Sequence, residues 1–182
     1  MKILRFVLQV ALAALLVGCV GPQVTAPVPA ALDLHQFKTA TLVVVDGVNT
    51  PYSRDGLPMF EGLLKGRMQS AGYSMVDSNA QMAVEVTVTE FTPGDRALRM
   101  TVGVGAGRAL LKYAARFKDP RGNLLAELDG GKAYTGMEIV DNANFKSDES
   151  TRMGLISYSV SQIGAFIEPK PVARPARTPL AP

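Results

Sequence analysis

Apolar and polar residues alternate with a period of two from Met82 to Thr89: Met82, Val84, Val86 and Val88 on one side, Ala83, Glu85, Thr87 and Thr89 on the other. This pattern predicts a half-buried strand. Ala109 to Lys118 repeats it, with Leu111, Tyr113, Ala115 and Phe117 set against Lys112, Arg116 and Lys118. Next, Asp119-Pro120-Arg121-Gly122 offers Pro for the second position of a turn and Gly for a positive φ. An antiparallel return onto Leu124 to Tyr134 is therefore expected. Thr41 to Val48 holds the β-favouring run Leu42 to Val45 and predicts a buried strand, and Tyr73 to Val76 a short one.

Two segments follow the helical period instead. Phe60, Leu63, Leu64 and Met68 recur at spacings of one, three and four, after a loop from Asn49 to Gly56 and before a stop at Gly72. Met153, Ile156, Val160, Ile163 and Ile167 do the same in a helix from Ser147 to Ile167. There Ser147 is the expected N-cap, and Asp148 and Glu149 meet the helix dipole. The order of elements predicts an α+β domain: a mostly antiparallel sheet of four to five strands with two helices packed on one face.

The N-terminus has a different pattern. Lys2 and Arg5 precede Phe6 to Val17, an apolar stretch broken only by Gln9. Its length suits a signal peptide and falls short of the about 20 apolar residues of a membrane-spanning helix. Leu16-Val17-Gly18-Cys19 follows and resembles the bacterial lipobox, which implies cleavage before Cys19 and lipidation of its thiol. The expected organisation is a lipoprotein signal peptide over 1–18, a Pro-rich tether over 19–31, one globular domain over 32–168 and a disordered basic Pro-rich tail over 169–182. Two or three acyl chains anchor lastingly where one does not. The expected location is thus membrane-anchored on the periplasmic side, and Val20 in place of an Asp favours the outer membrane.

Composition narrows the function classes. Apolar residues make up 47% and charged residues 19%, as in folded domains. The formal charge of +3 includes Lys2 and Arg5, and without them 17 basic residues face 16 acidic ones. No basic cluster for nucleic acid is seen. Cys19 is the single cysteine, so the domain has no disulfide, thiol nucleophile or cysteine-based metal site. His35, the single histidine, reads as a surface residue. Asp46 ends an apolar strand with no second acid or base beside it, and reads as a cap or loop hydrogen-bonder. No catalytic set, metal site or cofactor is therefore expected.

Gly103-Val104-Gly105-Ala106-Gly107 invites comparison with a phosphate loop. Such loops lie between a strand and a helix N-terminus, whereas here a strand follows, and no Gly-Lys-Ser or Gly-Lys-Thr is present. Glycines permitting a bulge or a close backbone crossing are the expectation. Arg96, Arg99 and Arg108 bracket the segment as charges on strand ends. Together with Gly103, Gly105 and Gly107 they form the candidate interaction surface.

The run from Phe91 through Thr92-Pro93-Gly94-Asp95-Arg96-Ala97-Leu98-Arg99 and Val102 to Ala109, with Asp119 and Gly122 beyond, resembles a bacterial lipoprotein family, domain of unknown function 4410. The likeness spans most of residues 40–165 and is most specific over 91–122. It implies one small α/β domain, export and lipidation, and brings no activity with it. The expected function is a non-enzymatic binding or assembly module of the cell envelope, its partner another envelope protein or a second copy. The alternative is a small periplasmic hydrolase or carbohydrate-acting enzyme whose acids converge only in three dimensions.

Overall fold

The computed structural model describes residues 23–24, 33–102, 107–134 and 147–168, without the side chains of Gln23, Val24, Arg99 and Met100. Its strands are β1 (Gln23–Val24), β2 (Thr39–Asp46), β3 (Ser74–Met75), β4 (Met82–Thr92), β5 (Ala109–Lys118) and β6 (Leu124–Tyr134). The helices are α1 (Pro51–Ser70), α2 (Arg96–Thr101) and α3 (Asp148–Ile167), and a single 3-10 turn covers Leu34–Gln36. The strands form one sheet in the order β1-β6-β5-β4-β2-β3.

The α+β class is as expected, with α1 and α3 covering one face of the sheet. The sheet itself is mixed and has six strands among the described residues. Antiparallel pairing joins β1 to β6, β6 to β5 and β5 to β4, whereas β2 runs parallel to both β4 and β3. The long helix after β2 is the reason, because a strand followed by a packed helix returns through a crossover, and crossovers make parallel neighbours. At the other edge, Gln23 and Val24 pair with Asp129 and Leu128. Two residues expected in a solvated tether thus join the sheet.

The alternation in β4 and β5 is as read, and Leu111, Tyr113, Ala115 and Phe117 all lie in the core. A register shift between Val88 and Glu90 inserts Thr89 as a bulge. It lets Val88 and Phe91, three residues apart, both point inward. The return from β5 to β6 uses Gly122 at φ 84°, with the Asp119 carboxylate accepting from the amides of Arg121 and Asn123.

Helix α1 starts at Pro51, ahead of the expected boundary. Thr50 caps it and exchanges hydrogen bonds with Ser53, a capping box that contributes about 1 kcal/mol. Pro58 lies inside the helix, where its missing N–H removes the helical bond to the Arg54 carbonyl. Phe60, Leu64 and Met68 are fully buried, but Leu63 is exposed; in α3, Met153 is exposed while Leu155 joins the core. Gly72 ends α1 at φ 96°.

The strand expected to be buried is only half-buried. Val43 and Val45 are 55% and 39% exposed, because both long helices lie on the other face. A polar seam crosses the core where Tyr113 donates to Gln162 Oε1 at 3.3 Å, and burial pushes that phenol above its ordinary range.

Candidate functional site

Between β4 and β5 the chain leaves the sheet at Thr92 and rejoins it at Ala109. Two glycines close the base of this excursion. Gly94 and Gly107 take φ of 65° and 63°, a conformation in which a Cβ is strained. A Cβ on Gly94 would press into the backbone of Gly107 and Arg108, and one on Gly107 into the Asp95 carbonyl. The two strands of the base cross there, and the Asp95 amide donates to the Gly107 carbonyl at 3.0 Å.

Asp95 then accepts from the Leu98 amide at 3.0 Å and caps α2. Arg96 and Arg99 therefore sit on a short helix and not on strand ends. Arg96 and Arg108 are exposed. Between them Leu98 and Val102 are 44% and 59% exposed, two apolar side chains missed by a reading of charges alone. Gly103 and Gly105 lie outside the described residues, as do Cys19 with its leader, the rest of the 19–31 tether and the 169–182 tail. The close backbone crossing expected of the glycines is found at Gly107, with Gly94 as the partner not singled out from sequence.

The face of the sheet opposite the helices carries a row of ion pairs. Lys118 meets Glu85 at 2.5 Å, Arg116 meets Glu127 at 2.8 Å and Lys112 meets Glu90 at 2.8 Å. The hydrogen bond from Lys118, then its charge, holds the Glu85 carboxyl below its usual range. Surface pairs of this kind add little to stability, because solvent and salt screen them. Their larger effect is to place matched charge on the open face of β4, β5 and β6.

Asp46 does what the sequence suggested. Its Oδ1 accepts from the amides of Val48 and Asn49 at 3.0 and 2.8 Å, and its Oδ2 from the Ser53 hydroxyl at 2.8 Å. Desolvation alone would raise its pKa, but the bonds from Asn49, Ser53 and Val48, with the Arg54 charge, outweigh that and lower it. His35 is half-buried and not a free surface residue, with its ring stacked on Tyr73 at 5.5 Å. Burial, with the nearby Asp33 charge, pushes the Tyr73 phenol up to about 12. Among the described residues, no group of three His, Cys, Asp or Glu is placed to hold a metal.

The family model of a domain of unknown function, DUF4410, matches residues 62–137. That span runs from the middle of α1 past β6 and includes the whole excursion. It bears out the family resemblance over a shorter stretch than residues 40–165. In fold the chain is similar to the PelC dodecamer from Paraburkholderia phytofirmans, with 15% identity over 79% of this chain and 97% of that one and a TM-score of 0.48. A minor lipoprotein from Acinetobacter baumannii is 21% identical over 72% of this chain and 93% of its own, with a TM-score of 0.39. Lipoprotein GNA1162 from Neisseria meningitidis is 14% identical over 70% and 99%, with a TM-score of 0.42. No curated protein matches.

Proposed function

We propose that this chain, which carries the DUF4410 domain over residues 62–137, is an envelope lipoprotein acting as a non-enzymatic binding or assembly module. It is cut before Cys19, acylated there and held on the periplasmic side of a membrane, the outer one in a cell with two. The observation that carries the binding reading is the excursion between β4 and β5. Its base is fixed by the Gly94 and Gly107 crossing, and it displays Leu98, Val102, Arg96 and Arg108 to the outside. A rigid base with exposed guanidinium groups beside apolar side chains suits a protein partner, since Arg is enriched at interfaces and a partner would cover the exposed apolar surface.

The hydrolase alternative needs two carboxylates converging in a cleft. Of the described acids, Asp46 is engaged in a cap, Asp119 in a turn and Glu85, Glu90 and Glu127 in ion pairs, while Glu61 and Asp77 line a cleft beside β2 together with Lys65.

The test combines acyl labelling with photocrosslinking in cells. Cys19→Ser should abolish labelling and release the chain from the membrane or leave it uncut. A photoreactive residue at Val102 should capture a discrete envelope protein, and Arg96→Ala with Arg108→Ala should reduce the yield. Normal labelling of the Cys19→Ser chain, or no capture at Val102, would defeat the corresponding half of the reading.

A further inference from the structure

The sheet has an edge that ends early. β3 pairs with β2 only at Thr39 and Ala40. It stops there because residues 76–81 carry the chain past the start of β2 to begin β4 on its other side, where Gln81 bonds to Lys38 and Thr39. From Leu42 onward, β2 has β4 as its one strand neighbour among the described residues. The Lys38 and Ala40 carbonyls accept from Ser74 and Val76 on the β3 side, whereas the Gly47 amide donates to Val88 on the β4 side. By that alternation the backbone groups of Leu42 and Val44 point out of the free edge. The opposite edge of the sheet is covered at its centre by β1.

A cleft of about 180 Å³ lies at this edge, lined by Thr41, Leu42 and Val43 of β2, Glu61 and Lys65 of α1, and Asp77. Val43 and Val45 are exposed beside it, where the neighbouring strands carry ion pairs. A free edge with apolar side chains is a template for an added strand. The charges choose the occupant. Glu61 and Lys65 are exposed one helical turn apart, and neither is in an ion pair among the described residues.

We propose that a second copy of this chain docks here, β2 against β2 in antiparallel two-fold register centred on Val43. Leu42 and Val44 of each copy then exchange backbone hydrogen bonds with Val44 and Leu42 of the other. Val43 meets its own counterpart on the open face. The two-fold reverses α1, so Glu61 of one copy faces Lys65 of the other and both charges are matched. The pairing is short for a stable interface in solution, which buries roughly 1,200–2,000 Å². It rests on the anchored reading above, because confinement to a membrane raises the effective concentration of each copy for the next.

The test is disulfide trapping of the full-length chain in its native membrane. Val43 and its counterpart occupy a non-hydrogen-bonded pair with Cα atoms about 4.5 Å apart, within disulfide range. Val43→Cys should therefore give a covalent dimer under mild oxidation, at least about tenfold more than Met153→Cys on the far helix. In the Val43→Cys background, Glu61→Lys should reduce the yield, and adding Lys65→Glu should restore it. The pair Leu42→Cys with Val44→Cys, which face each other across the same axis, guards against misfolding of one variant. No dimer from either cysteine design, a product containing a different protein, or no restoration by the double charge swap would overturn the proposal. Acyl labelling of the same samples separates the two failures: labelled chains that do not trap defeat the dimer alone.

Discussion

The strands β4, β5 and β6 and the strand β2 are built on the same pleat but treat their outward positions differently. Across the first three, the outward residues include three matched ion pairs, Glu85 with Lys118, Glu127 with Arg116 and Glu90 with Lys112. On β2 they include Val43 and Val45. β5 is paired on both sides from Leu110 to Lys118, whereas β4 keeps β2 only as far as Val88 and β2 keeps β3 only as far as Ala40. A solvated face calls for polar side chains, and exposed β-branched apolar ones suit a covered face. The contrast separates a part of the sheet finished within one chain from a part left open.

Substitutions can break this comparison, and the largest effect should fall in the finished half. Phe117 is fully buried on β5 with Phe166 at 5.3 Å, so Phe117→Ala should cost about 3–5 kcal/mol in urea unfolding. A cost below that of a surface change would show that the β5 register is wrong. Gly94→Val should cost about 3 kcal/mol, because it places a β-branched residue at φ 65° against the backbone of Gly107 and Arg108. Stability equal to wild type would remove the fixed base of the excursion and the binding argument with it.

The sequence made the finished half easy to read. Strict alternation and a Pro-Gly turn placed β5 and β6 at their observed ends, since period and turn chemistry are local properties. The β2 half was less legible. A run of four β-favouring residues looks the same whether one face or two are covered, so the exposure of Val43 and Val45 depended on knowing that both helices share one face. Parallel pairing also leaves no mark on periodicity, and the crossover became plain only with the 20-residue helix after β2. Pro58 hid the true start of α1, while the Thr50 and Ser53 capping box was available as a start signal. The excursion was found through its glycines and arginines, but Leu98 and Val102 emerged only once α2 was seen, because six residues hold too few turns to show a period.

Smaller effects sharpen the contrast. The Asp46 carboxyl titrates below its unfolded value, so its contribution to stability is full above the ordinary carboxylate range of about 4 and lost as pH falls through its lower folded pKa. Melting temperatures measured from neutral to acid should therefore fall more for wild type than for Asp46→Asn, and the two curves should converge at low pH. Parallel curves would mean that the cap does not ionise as described. Smallest of all, Val43→Thr with Val45→Thr should change unfolding of the isolated chain by under about 0.5 kcal/mol, as surface substitutions do. A larger loss would show that these valines are packed within one copy.

The open edge of β2 is tested most directly by amide hydrogen exchange at single-residue resolution, on the full-length chain in detergent at one chain per micelle. The amides of Val43 and Val45 point toward β4 and should be protected. Those of Leu42 and Val44 should exchange on the order of a hundredfold faster, and slow when the chain is crowded enough to associate. Equal protection of all four amides in the isolated chain would contradict the account, because it would show the edge to be covered already.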